Sequence, residues 1–276
     1  MFVIYQDTDY LLIKLTEIKE NRNQKLQIHS ISPFTIKDAS LLLTGSLEKS
    51  SNLNNVSWFK NGWQSWSPCK LLFGDQKDRK GPPLNVYKRT LDNQDYGIEG
   101  RFYSEYCTAI TELSSKSTFI LGFTTLPEQF SRIVLDHNDS EKMKKLTAFG
   151  CMDGLLLSES SIDYSEEIFV GFKSNSTGYY GLIDYASIVE EYLKEERISE
   201  IPIGWCSWYY YFTEISMEDM LKNIEFFKDK EEEIPIDFIQ LDDGYFKQIG
   251  DYQDLNEKFS ESLSFLFKKI ENSGFK

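Results

Sequence analysis

Two adjacent carboxylates end an apolar, strand-like run in this sequence. The run IDFIQL (236–241) is followed directly by Asp242 and Asp243, and then by Gly244. Ionised carboxylates accept charge-assisted hydrogen bonds, so two neighbouring acceptors match two neighbouring hydroxyl groups of a sugar. An Asp-Asp-Gly segment after a strand is also typical of a turn or a helix cap. Both interpretations stay open at this point.

The tryptophans form two groups. Trp58, Trp63 and Trp66 lie in one short stretch, and Trp205 and Trp208 lie in another, GWCSWYYYF (204–212). An aromatic face stacks on the apolar C–H face of a sugar ring, so aromatic residues combined with carboxylates favour saccharide binding. The alternative is that a Trp-x-x-Trp stretch packs in a hydrophobic core.

The hydrophobic period changes along the chain, which predicts two kinds of structure. Up to about residue 175 the apolar residues alternate in short runs separated by polar turns, as in TFILGFTTL (118–126), FSRIVLD (130–136) and EEIFVGF (166–172). Many short strands without a helical pattern predict a β-sandwich. We therefore expect a β-sandwich domain over 1–178, a linker helix over 179–200, and a different domain over 201–276.

The last part alternates between strand-like and helical patterns. Apolar residues recur at helical spacing in three segments. They are Ile183, Ala186, Val189, Tyr192 and Leu193 in the first; Met217, Met220, Leu221, Ile224 and Phe227 in the second; and Leu263, Leu266, Phe267 and Ile270 in the third. Ser216 and Asp219 mark the start of the second. Strand-like runs precede the second and third segments, which predicts the first two βα units of a (β/α)8 TIM barrel. Functional residues of such barrels lie at the carboxyl ends of the strands, where both motifs fall.

Composition excludes several classes of function. The formal net charge of −14 disfavours binding to nucleic acid or to an anionic membrane surface. The four cysteines form no C-x-x-C pair, so we expect no structural zinc, and we expect no other metal and no cofactor. We also expect no signal peptide and no membrane span, and hence a cytoplasmic protein. The oligomeric state stays open.

Three motifs in this order carry a family resemblance. NGWQSWSP (61–68), GWCSWYYYF (204–212) and FIQLDDGYFKQIGDY (238–252) resemble segments of the α-galactosidases of glycoside hydrolase family 36, most closely the compact archaeal and thermophilic bacterial type. The resemblance implies a β-sandwich followed by a barrel, of which this chain contains only the N-terminal portion.

The resemblance also implies roles for particular residues. Asp242 and Asp243 would bind hydroxyls of a terminal galactose, and Trp208 would lie close to that pocket. Trp66, with Trp63 as the second choice, would reach from the sandwich over the barrel mouth, while Trp63 or Trp58 would anchor the loop in the core. The expected ligands are α-galactoside oligosaccharides of the melibiose and raffinose class.

The catalytic residues of the family are expected elsewhere. Enzymes of this family are retaining, with a nucleophile after the fourth barrel strand and an acid/base after the sixth. We expect this chain to reach only the start of the third strand and to contain neither, so that it would be inactive alone. Three alternatives stay open: a non-catalytic galactoside-binding module, a galactosyl transferase of the raffinose-synthase type, and a remnant that does not fold alone.

Overall fold

The structure is a computed structural model of the 276-residue chain. It describes residues 2–4, 10–15, 26–37, 53–62, 69–74, 76, 100–125, 129–138, 142–157, 165–193 and 200–276. The chain divides into two compact units, Met1–Glu195 and Glu196–Lys276. Within the described residues, no helix combines the length and the apolar character needed to cross a membrane.

The first unit is built from antiparallel strands in two sheets. Its strands are β1 (Phe2–Ile4), β2 (Tyr10–Ile13), β3 (Leu26–Lys37), β4 (Val56–Lys60), β5 (Lys70–Phe73), β6 (Arg101–Glu105), β7 (Cys107–Glu112), β8 (Ser117–Phe123), β9 (Phe130–Asn138), β10 (Lys142–Leu157) and β11 (Ile168–Lys173). Seven form a sheet in the order β1-β2-β11-β8-β7-β4-β5, and four form a sheet in the order β3-β10-β9-β6. The β-rich character predicted for this part of the chain is confirmed.

One hydrophobic core joins the two sheets. Alternating residues of each strand point to the same side, so each sheet presents one apolar face. Phe119 and Leu121 of β8 contribute from the seven-stranded sheet, and Ile133 and Leu135 of β9 contribute from the four-stranded sheet. Trp58 of β4 is 1% exposed in this core. The two sheets therefore pack face to face.

Helix α1 (Gly178–Leu193) covers the other face of the seven-stranded sheet. Tyr185 is buried there, and its hydroxyl donates a hydrogen bond to the carbonyl oxygen of Phe123. Burial raises the pKa of Tyr185, which keeps the hydroxyl protonated as a donor. A Cβ at Gly122 would lie 2.5 Å from the Tyr185 ring, so the glycine makes room for it. This helix, predicted as a linker, packs against the first unit.

The described residues of the second unit, 200–276, form a short parallel sheet and three helices. Its elements are β12 (Gly204–Cys206), α2 (Trp208–Tyr211), a 3₁₀ turn (Phe212–Glu214), α3 (Met217–Asp229), β13 (Phe238–Gln240) and α4 (Leu263–Asn272). On the side of β13 away from β12, Lys276 N donates to Asp237 O (2.9 Å) and Ile239 N donates to Lys276 O (3.1 Å). This is the hydrogen-bond pattern of parallel pairing between β13 and Lys276. The strand–helix–strand–helix order agrees with the predicted βα units, while a closed barrel stays a prediction.

The predicted helix faces agree with the structure in most positions. Ser216 caps α3 by accepting a hydrogen bond from Asp219 N at 3.2 Å, and this confirms the predicted start. Met217, Met220, Ile224 and Phe227 are the buried residues of α3. In α4, Leu266 and Ile270 are buried, but the prediction for Phe267 was wrong.

Phe267 is 50% exposed. Each helical residue turns about 100° from the one before it, which places Phe267 at the rim of the face formed by Leu266 and Ile270. Likewise Ile183 and Tyr192 of α1 are 43% and 42% exposed, because α1 packs through Gly181 and Tyr185 instead.

Gly204 makes room for an aromatic ring of the neighbouring strand. A Cβ at Gly204 would lie 2.4 Å from ring atoms of Phe238, its register partner in β13. Real Cβ atoms do not approach other atoms so closely, so any larger residue at 204 would displace this ring.

Trp58 supplies a test of the two-sheet core. We expect Trp58→Ala to lower the free energy of unfolding by about 3–5 kcal/mol, because it leaves a large cavity. The indole Nε1 of Trp58 is buried without a hydrogen-bond partner among the described residues, so Trp58→Phe should cost clearly less. Urea unfolding followed by circular dichroism measures both. Equal losses for the two variants would contradict the packing described.

Candidate functional site

The carboxyl ends of β12 and β13 lie side by side. The strands are parallel, and Cys206 pairs with Gln240 at their ends. Parallel pairing in this register brings the residues that follow each strand to the same edge of the sheet. Ser207 and Trp208 leave from β12, and Asp242 leaves from β13 after one intervening residue.

Ser207 fixes this edge. It is fully buried, and its backbone N–H donates to the carbonyl oxygen of Gln240 at 3.1 Å. Its side-chain Oγ accepts a hydrogen bond from the backbone N–H of Asp242 at 2.9 Å. One serine therefore holds the backbone on both sides of Leu241, and with it the position of the first aspartate.

The carboxylate of Asp242 is surrounded by donors. Gln240 Nε2 donates to Asp242 Oδ2 at 3.2 Å, and the Cys206 thiol donates to the same oxygen at 3.5 Å. Asp243 N donates to Asp242 Oδ1 at 2.8 Å. Burial is the main cause that raises the pKa of Cys206, and the nearby Asp242 carboxylate raises it further. The thiol therefore stays protonated and acts as a donor.

The second aspartate has a different environment. Asp243 is exposed, and within the part of the chain that the structure describes its carboxylate has no hydrogen-bond or ionic partner. The two neighbouring carboxylates are thus not equivalent, since one is bound to the protein and the other faces solvent. Anchoring the first by three donors also offsets its repulsion by the second.

A tight turn follows the aspartates. Gly244 has φ +116°, a conformation that residues with a side chain rarely adopt. A Cβ there would lie 2.7 Å from the backbone oxygen of Thr213. Asn256 Nδ2 donates to Gly244 O at 2.7 Å and to Phe246 O at 3.3 Å, which ties the later loop to this turn. The backbone therefore bends sharply at 243–245, and Asp243 is exposed at this bend.

The two tryptophans of the first-strand motif differ in their surroundings. Trp205 packs against the core of the second unit, with its ring 6.3 Å from the Tyr211 ring and 6.1 Å from the Phe227 ring. Trp208 is half-buried and begins α2 immediately after Ser207. Its ring lies 5.4 Å from that of Phe212, in an edge-to-face arrangement. Trp208 is therefore placed at the same strand edge as Asp242, while Trp205 stabilises the fold.

Of the three tryptophans predicted to matter in the first unit, the structure describes only Trp58. Trp63 and Trp66 lie outside the described residues, and their roles stay predictions. Trp58 is a core residue of the two-sheet unit. Among the described residues, no cluster of three or more His, Cys, Asp or Glu is placed to hold a metal ion.

Several residues that shape this edge were not singled out from the sequence. They are Cys206, Ser207, Gln240 and Asn256. Cys206 and Ser207 stand between the two tryptophans of GWCSW, and Gln240 interrupts an apolar run two residues before Asp242. A polar residue at the end of a strand-like run is the signal that points to Cys206, Ser207 and Gln240, whereas Asn256 lies in a loop and has no such signal.

A cavity lies elsewhere in the molecule. It has a volume of about 290 Å³ and lies in the first unit, between α1 and the seven-stranded sheet. Its lining includes Tyr10, Phe169 and the ion pair Lys173–Asp184. Of the predicted site residues that the structure describes, Asp242, Asp243 and Trp208, none lines it, so the strand edge of the second unit remains the candidate site.

Solved structures with a similar fold are α-galactosidases. The chain is similar over its whole length to α-galactosidase TtGalA from Thermus thermophilus in complex with stachyose, with TM-score 0.56, 17% identity and 50% of that chain covered. It is similar over its whole length to the family GH36 α-galactosidase AgaA from Geobacillus stearothermophilus, with TM-score 0.57, 12% identity and 36% covered. A third is the α-galactosidase from Lactobacillus brevis, with TM-score 0.54, 11% identity and 35% covered.

These comparisons establish the fold. The chain therefore shares its fold with part of these α-galactosidases, of which the Geobacillus enzyme is named as a family GH36 member, and spans half or less of the length of each of the three. A variant of the Geobacillus enzyme has been crystallised with raffinose. No protein-family model matches this sequence.

Gly244 supplies a test of the turn geometry. We expect Gly244→Ala to destabilise the second unit more than Gly250→Ala does. Both glycines have positive φ, so both variants carry backbone strain on the order of 1–3 kcal/mol. Only at Gly244 would the new Cβ also collide with the Thr213 backbone, since nothing lies within 4 Å at Gly250. Urea unfolding compares the two, and equal midpoints would show that the close approach to Thr213 is absent.

Proposed function

We propose that this chain is the N-terminal portion of a retaining α-galactosidase and that its second unit recognises the terminal galactose of α-galactoside oligosaccharides. One observation carries the proposal. Asp242, whose carboxylate is anchored, and Asp243, whose carboxylate has no partner among the described residues, follow β13 at the edge where two parallel strands end, and Trp208 begins the helix that follows β12. In this proposal the sandwich covers 1–178, the linker helix 179–200, and the start of the barrel 201–276.

The chemistry of this edge suits a sugar better than an ion. Asp243 offers free carboxylate oxygens to hydroxyl groups, and charge-assisted hydrogen bonds of this type are roughly twice as strong as neutral ones. A half-buried indole supplies an apolar surface for the C–H face of the ring. The fold shared with α-galactosidases supports galactose as the sugar, because stachyose and raffinose are the ligands named for two of those structures.

The proposal assigns no catalytic residue to this chain. The nucleophile and the acid/base of a retaining mechanism are placed outside residues 1–276, on the basis of the family resemblance. Trp66 and Trp63 remain proposed contacts of the same sugar. We propose hydrolysis rather than transfer to a sugar acceptor, since the solved structures of similar fold are named as α-galactosidases.

A titration with methyl α-D-galactopyranoside tests the proposal directly. We expect the chain to bind this sugar and to bind methyl α-D-glucopyranoside more weakly, because the two differ only in the orientation of the 4-hydroxyl group. Ligand-observed NMR measures affinities in the millimolar range. Equal affinity for the two sugars, or binding of neither, would contradict the proposal.

Asp243→Asn tests the residue that the proposal depends on most. The amide keeps the shape of the side chain but removes a charged acceptor, so we expect a loss of about 1.5–3 kcal/mol in galactoside binding. Asp251→Asn is the matched control, since Asp251 is another exposed aspartate of the same unit and lies outside the proposed site. The affinity of the control should equal that of the unmodified chain. Unchanged affinity in Asp243→Asn would assign the segment to a turn without a role in binding.

A further inference from the structure

The carboxylates of Asp242 and Asp243 differ in how many hydrogen-bond acceptor positions are already used by donors of the protein. An ionised carboxylate has about four positions at which it accepts hydrogen bonds, two on each oxygen. On Asp242, Gln240 and Cys206 occupy both positions of Oδ2, and Asp243 N occupies one position of Oδ1. Asp242 therefore keeps about one position for a ligand, whereas Asp243 keeps all of its positions within the described part of the chain.

The donors on Oδ2 also fix the orientation of the Asp242 carboxylate. Gln240 is the last residue of β13 and lies two residues before Asp242, while Cys206 approaches from the end of the neighbouring strand β12. Two donors from two strands hold the carboxylate plane, and the third donor, Asp243 N, lies on the other oxygen. Removing one of these donors would leave the carboxylate less well oriented toward a ligand, although Ser207 would still fix the backbone.

We infer that Cys206 is a positioning residue of the proposed saccharide site. Its thiol and the Gln240 amide hold Oδ2 of Asp242. In this arrangement Oδ1 of Asp242 and the carboxylate of Asp243 face the sugar. The inference rests on the proposed function. Cys206 does not contact the sugar in this arrangement. The protonated thiol that it requires agrees with the raised pKa of Cys206.

Two variants separate the hydrogen bond from the volume of the thiol. Cys206→Ala removes the donor, and Cys206→Ser keeps a donor of similar size. We expect Cys206→Ala to bind methyl α-D-galactopyranoside about threefold to tenfold more weakly, which corresponds to one hydrogen bond of average strength. Cys206→Ser should recover most of this loss. Cys151→Ala, which removes a partly buried thiol of β10 in the first unit, should leave the affinity unchanged.

A spectroscopic measurement tests the hydrogen bond without any sugar. The S–H stretching band of Cys206 is obtained by Raman difference between the unmodified chain and Cys206→Ser. A thiol that donates to a carboxylate vibrates at lower frequency, so Asp242→Asn should move this band to higher frequency. Alkylation of Cys206 at one pH, followed by peptide mass spectrometry, should also become faster in Asp242→Asn, because the carboxylate no longer raises the pKa of the thiol.

The outcomes distinguish this inference from the proposed function. If the unmodified chain binds the galactoside and Cys206→Ala, still folded by circular dichroism, binds equally well, the positioning role is wrong and the proposed function stands. An S–H band that does not move in Asp242→Asn overturns the role as well. If the unmodified chain binds no galactoside, the proposed function fails, and the role of Cys206 fails with it.

Discussion

The hydrogen bond from the backbone N–H of Asp242 to Oγ of Ser207 ties together the segments that follow β12 and β13 at the strand edge. Ser207 is fully buried and also donates its own N–H to Gln240 across the two strands. A buried hydroxyl that satisfies a backbone donor leaves little freedom to either segment, because an unpaired polar group in this position costs about 1–3 kcal/mol. The two strands therefore end in a fixed relation, and every side chain that follows them depends on it.

In the first unit, contacts of Tyr185 attach helix α1 to the seven-stranded sheet. Tyr185 enters the space that the missing side chain of Gly122 leaves open, and its hydroxyl pairs with Phe123 O in the same strand. An aromatic ring supplies apolar contact area, and its hydroxyl satisfies the one carbonyl oxygen beneath it. Tyr185 is thus a central contact of α1 on the sheet, next to the buried Gly181, whereas the exposed Ile183 and Tyr192 contribute little.

Much of the architecture was predictable because it depends on local patterns. The capped start of α3 and its buried methionines follow from spacing within one helix. The error at Phe267 arises where a helix face ends, since spacing gives a face but not its width. The contacts of Asp242 could not be predicted in the same way. They depend on the register of β12 against β13, which brings Cys206 within reach of a residue 36 positions later. A sequence shows that two carboxylates are adjacent, but only the fold shows that one of them is anchored.

The contact between Gly204 and the Phe238 ring has a consequence for the evolution of the chain. Because the ring occupies the space that a side chain at 204 would need, a larger residue at 204 requires the Phe238 ring to move or a smaller residue to replace it. Phe238 itself can become smaller while Gly204 is kept. Among homologous sequences these two positions should therefore covary, with glycine accompanying an aromatic residue, and the exposed Tyr209 and Tyr210 nearby should drift independently.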